Sequence, residues 1–309
     1  MAGALMTKPP YKEATMNTLA LVKPLFEHAR KVPFNIAPEQ GARLATEIFG
    51  QRGWEFKLIS GEANFYAIPA DAVVAASASG LASLWCLCYA AYHLVDTASR
   101  LQRGKNDRDA PAFDIGGYCS AMRLGEYLGF ARSLFHGEQE WPRNLVTPDT
   151  GMSLDSEEGR VNNLFYGSLA WILLHEIGHV HHKHEKLIPV EQRVRQEYVA
   201  DDFATRWILE SAGQGLRNEF RVLTICVALC WIFLNEAEIG QGTDHPPAFN
   251  RFREASALFQ GLGPRSPALE NASYLFKAVF DPETVSPAFE NPSEGFDWMV
   301  ARLEQLFPR

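Results

Sequence analysis

The apolar positions of this chain recur mostly at helical spacing. Residues 16–30 and 39–49 read as amphipathic helices separated by the loop KVPFNIAP. The segment WEFKLISGEANFYAIP, residues 54–69, breaks that period: two short runs rich in Phe, Ile, Leu and Tyr flank Gly61 and predict a β-hairpin. Residues 70–101 predict a long buried helix. Residues 103–117, polar with Gly and Pro, predict a loop and the best internal boundary. A helix near 120–135 follows, then a stretch at 141–154 with room for a short strand and a turn. Asp155, three before Glu158, makes a pair like a capping box, and opens a helix expected over about 156–185. Residues 186–189 break it. Further helices are expected over about 191–212, stopped by Gly213, over 216–237, near 249–259, over 268–279 and over 294–307. The fold class is thus mainly α with a small β-sheet (α+β). A helical region with the hairpin, residues 1–110, packs on a second part, 111–309, as two units or as one continuous domain.

Composition changes this picture little. With 47% apolar and 21% charged residues among 309, the chain is an ordinary globular one and not a disordered one. A net charge of -8 argues against nucleic acid as a partner. The nearest basic cluster, Arg100, Arg103, Lys105 and Arg108, is diluted by Asp107 and Asp109 and reads as a solvated loop. Five cysteines, an odd number, with no apolar leader before them, read as free thiols in a reducing cytoplasm. Residues 72–95 carry no charge over 24 positions, long enough to span a bilayer. Ser77, Ser79, Gly80, Ser83 and His93 within them favour a buried helix of a soluble protein over a membrane anchor. Residues 222–234 are too short to span and read as a core helix, with Cys226 and Cys230 packed as small apolar side chains.

The chemistry concentrates in HEIGHVHHKHE, residues 175–185. On a helix, His175 and His179 stand one turn apart on one face, so both imidazoles can reach one ion at about 2.0–2.1 Å. Glu176, beside the first, can act as a general base without taking a ligand position. Gly178 leaves room for another element to approach. A catalytic zinc needs a third protein ligand and an open fourth position. In QEYVADDFATRW, residues 196–207, Glu197 is the candidate ligand on the next helix. Asp201, four residues on, can accept the other ring N–H of a ligand histidine, His175 first among them. Ala200 and Ala204 keep that face small. In TDHPPAFNRF, residues 243–252, His245 is a candidate for binding the oxyanion of a tetrahedral intermediate. Arg251 can hold that loop through a carboxylate or carbonyl, or bind substrate. His181, His182 and His184 are expected to be solvated or to lie behind the ligands. His28, His93 and His136 are expected in packing or on the surface.

HEIGH, EYVADDFA and HPPAFNR in this order resemble the gluzincin zinc metallopeptidases. The HExxH, ExxAD and HP-to-Arg pattern is similar to that of peptidase family M48. The short gap between the first two motifs looks more like that of thermolysin-type and ImmA-type zincins. Length, soluble character and the tract LAWILLHEIGHVHHKHE look most like the Lit-like phage-exclusion peptidases, family U49. The motif resemblance covers residues 170–252. It implies a zincin-like fold, with the catalytic domain at 111–309, and a cytoplasmic zinc endopeptidase acting on a host protein, elongation factor Tu in the founding case. A short edge strand should align the substrate by β-addition, supplied by the hairpin at 54–69 or by the segment near 143–147. Two rivals stand beside this expectation: a non-catalytic, histidine-rich metal-binding or regulatory protein, and a protease anchored through residues 72–95.

Overall fold

The computed structural model describes residues 16–50, 53–104, 114–185, 187–243 and 245–308. Near the N-terminus come α1 (Thr18–Ala29), α2 (Val32–Ile36) and α3 (Gly41–Arg43). The expected helix over 39–49 is broken instead into a 3-10 turn, α3 and a π turn over Leu44–Ile48. Three strands follow, β1 (Glu55–Ile59), β2 (Phe65–Ile68) and β3 (Val73–Ser77). The helices α4 (Ala78–Gly104), α5 (Ile115–Ala121), α6 (Leu124–Ser133) and α7 (Glu157–His181) come next. They are followed by α8 (Val190–Leu209), α9 (Leu216–Ile239), α10 (Ala248–Ser256), α11 (Pro267–Phe280) and α12 (Pro292–Leu306). The molecule is mainly α with one small sheet. Most of the expected 103–117 loop lies outside the described residues, and α5 occupies its end. No strand forms at 141–154; Trp141 makes only an isolated bridge to Met16.

The hairpin expected at 54–69 does not form. β1 and β2 do not pair with each other; both pair with β3, β1 in parallel and β2 antiparallel. β3 comes from the stretch expected to begin a helix. Its sequence VVAAS is buried at every position, and an apolar run with no alternation does not distinguish a strand from a buried helix. The switch from strand to helix is made by Ser77. Its Oγ accepts from the Gly80 N–H at 2.8 Å, capping α4, and from the Asn64 N–H at 2.9 Å.

α7 is the central element. It is apolar nearly all round, which is the signature of a helix buried on every side. Its N-cap is Ser156, whose Oγ accepts from Gly159 N, and not Asp155 as the capping-box spacing suggested. α4, α8 and α9 pack around it, and the core side chains before and after residue 110 form one contiguous cluster. Two close approaches have glycine on the α7 side. A Cβ on Gly167 would overlap Thr224 of α9; one on Gly178 would sit 3.3 Å from Ala200 Cα and 3.1 Å from Phe203 on α8. α4 over Ala78–Ala98 and α9 over Leu216–Ile239 are long and apolar enough to cross a membrane, and both are mostly buried within the protein. The cysteines are free; Cys226 and Cys230 are fully buried in the core.

Candidate metal centre

Because α8 runs back along the last turns of α7, Ala200 and Ala204 face it fully buried, and Glu197 is brought to the HExxH histidines. His175 Nε2 and His179 Nε2 lie 3.1 Å apart. The Glu197 carboxylate bridges them, Oε2 at 3.3 Å from His175 Nε2 and Oε1 at 3.3 Å from His179 Nε2. These three residues form a group that could hold a metal ion. An ion bound tetrahedrally at about 2.0–2.1 Å holds its ligands about 3.3 Å apart, which matches these separations. Two further facts fit a cation. His175 Nδ1 sits 2.8 Å from Asp201 Oδ1; with one proton held there, the neutral ring of a metal ligand would turn a bare Nε2 toward the His179 nitrogen. Glu197 Oε2 is buried with no hydrogen bond of good geometry.

The electrostatics point the same way. Burial works against a charge on His175, yet the hydrogen bonds its ring donates to the Asp201 and Glu197 carboxylates overcome it and push the imidazole up to about 10. Glu197 and Asp201 are held below the ordinary carboxylate range. Burial opposes this, but His175 and Arg251 outweigh it. Without an ion, the positive charge between the two carboxylates sits on the His175 ring itself. His179 is pushed down to about 3 by burial and by the charge on His175. Glu176, beside the cluster with Oε1 4.0 Å from His175 Nε2, is raised by burial and the Glu197 charge.

The third motif arrives from the far side. Arg251 on α10, fully within the protein, grips Asp201 with Nε and Nη2 at 2.8 and 2.7 Å. Of the alternatives the sequence left open, its contact is with a carboxylate. His245 precedes α10, exposed, with Nδ1 3.1 Å from Glu197 Oε2; its neighbour Asp244 lies outside the described residues. The Ala248 N–H at the start of α10 donates to Glu236 of α9, which ties this loop down. His181 and His182 pack about Phe203, away from the cluster. His184 does not: its Nδ1 lies 2.8 Å from His179 Nδ1, a contact that sequence spacing alone could not single out from its two neighbours. Burial and nearby His182 hold His184 down to about 4.

Two cavities meet at the cluster. One, of about 290 Å³, is walled by Phe65, Tyr66 and Ala67 of β2 together with His175, Glu176, His179 and His184. The other, of about 370 Å³, is lined by Phe135, Trp171, Trp231 and Ile232, with Glu62 and Glu236. β2 is an edge strand of the sheet, so of the two expected sources of an edge strand, the 54–69 segment lies at the site. A larger cavity, about 1010 Å³, lies against Arg195, Asp202, Arg206 and Trp207 on another face of α8 and includes none of the cluster residues.

A cluster of this composition can hold one cation and present a carboxylate beside it, which is the equipment of a hydrolase. The peptidase U49 family model matches residues 74–272. The Cell death peptidase of Escherichia coli (strain K12) is 25% identical over 242 residues, covering 74% of this chain and 78% of that one. No solved structure matches. The family match spans β3 to α11 and includes every residue of the cluster, so this protein belongs to the peptidase U49 family.

Proposed function

We propose that this peptidase is a zinc-dependent endopeptidase of gluzincin type. The observation that carries the reading is the His175, His179 and Glu197 triangle, with Glu176 buried beside it and outside it. In this reading the three residues hold the ion and leave one face open to the two cavities. When bound, zinc supplies Lewis acidity, making water a nucleophile at neutral pH and polarising the scissile carbonyl. Glu176 takes the proton from the attacking water and delivers it to the leaving amine; its raised pKa suits a group that must do both. His245 donates a hydrogen bond to the oxyanion. Asp201 orients His175, and Arg251 holds Asp201 in place. The polypeptide substrate pairs with β2 as an added strand.

The resemblance to phage-exclusion peptidases extends the proposal to a host protein cleaved during infection, with elongation factor Tu as the first candidate. The test is to compare newly formed protein N-termini in bacterial cells carrying the wild type or Glu176→Gln, before and during phage infection. Cleavage products present with the wild type and absent with the variant support the reading. An identical set of termini with both contradicts it.

A further inference from the structure

The end of α7 places His184 on a metal-site histidine. The helix closes as a Schellman motif: the His184 N–H donates to the His179 carbonyl at 2.9 Å and the Lys183 N–H to the Val180 carbonyl at 3.1 Å. The residue between cap and return is Lys183, which adopts the left-handed conformation at φ 55° that glycine usually fills. In such a motif the side chain two past the cap folds back on the one three before it, normally as an apolar contact. Here those two side chains are His184 and His179. Their Nδ1 atoms meet at 2.8 Å, with the rings nearly perpendicular. One of the two nitrogens must carry the proton. If His179 carries it, its Nε2 is bare and faces His175 Nε2 and Glu197 Oε1.

We infer that His184 is a positioning residue for the metal site: its Nδ1 accepts the His179 Nδ1 proton and so fixes the tautomer and ring orientation of that ligand, as Asp201 does for His175. The inference rests on the proposed metal site. It makes the two histidine ligands unequal, one backed by a carboxylate and the other by a neutral imidazole.

The experiment uses the metal-depleted full-length protein and measures Zn²⁺ affinity by competition with a chromophoric chelator, with stoichiometry and the melting temperature of the metal-free form. Two variants separate the roles. His184→Leu keeps the apolar contact a Schellman motif prefers but has no acceptor. His184→Asn puts a carbonyl oxygen near the position of Nδ1. The expected result is one ion per chain throughout and unchanged metal-free melting. The affinity should be about 10–100-fold weaker in the Leu variant and restored to within a few-fold of wild type in the Asn variant. Equal affinity in the Leu variant overturns the inference. So does loss of the ion, or of metal-free stability, in both variants, which would make His184 a ligand or a structural residue. A wild type that binds no zinc overturns the metal-site reading itself, and the inference with it.

Discussion

Glu176 and Glu197 are carboxylates of one buried cluster driven in opposite directions, the first up by burial, the second well down by His175, His245 and Arg251 against its own burial. Divergent environments of this kind separate a proton-transferring group from a permanently ionised one. Glu176→Gln should therefore lower turnover by at least about 10²-fold, with the fold and the melting temperature kept, as steady-state cleavage assays on an identified substrate would show. Arg251 invites a second test. It is the buried partner of Asp201, held by two parallel hydrogen bonds that a lysine cannot reproduce. Arg251→Ala should destabilise the protein by about 3–5 kcal/mol in denaturant unfolding, and Arg251→Lys should recover only part of that. His175, Glu176 and His179 were legible because the helical period alone fixes their mutual placement. That the Arg251 carboxylate is Asp201 was not, because the two are 50 positions apart and meet only through the packing of α10 on α8.

Elements carry the site through a few tight contacts. The α7–α9 crossing depends on Gly167 facing Thr224, where a Cβ would overlap, so Gly167→Ala should cost about 1–3 kcal/mol in denaturant unfolding through overpacking there. A distant tie behaves differently. Arg221 of α9, 2% exposed, donates to both Glu39 oxygens and to the Ile208 carbonyl, and so joins the N-terminal turns to the end of α8. The Arg221 hydrogen bond holds Glu39 below its ordinary value of 4.5, against a smaller opposing effect of burial. The stability this contributes is present above that value and is lost as pH falls through the lower folded one. Glu39→Gln should cost about 2–3 kcal/mol at neutral pH and show a flatter loss of stability below pH 4.5 in acid unfolding curves. The longer helices from α6 onward were readable from their period to within a few residues, but α2 and α5 lie where loops were expected, α4 begins at Ala78 and not near residue 70, and the 39–49 helix is broken. β3 was not readable, since five buried residues contain no alternation to read, and the hairpin that seemed complete without it was an artefact of that gap.

At the scale of the molecule, a buried α7 serves as both the core's axis and the wall of the site. Its apolar face meets α4 and α9, while its last turns hold His175, Glu176 and His179 under the edge strand β2. The family match, residues 74–272, likewise extends from β3 to α11, beyond the motifs to the helices that pack on α7. This sharing of α7 also means that occupancy of the centre should stabilise the whole fold, with melting rising as zinc is added to the metal-free protein. Which side chains hold the ion is the central question. Elemental analysis of the purified wild type, Glu197→Ala and Glu176→Gln measures that directly. One zinc per chain is expected in the wild type and in Glu176→Gln, and a clear loss in Glu197→Ala. Several ions per chain, or zinc content indifferent to Glu197, would contradict the three-ligand site and favour a histidine-rich metal binder without catalysis.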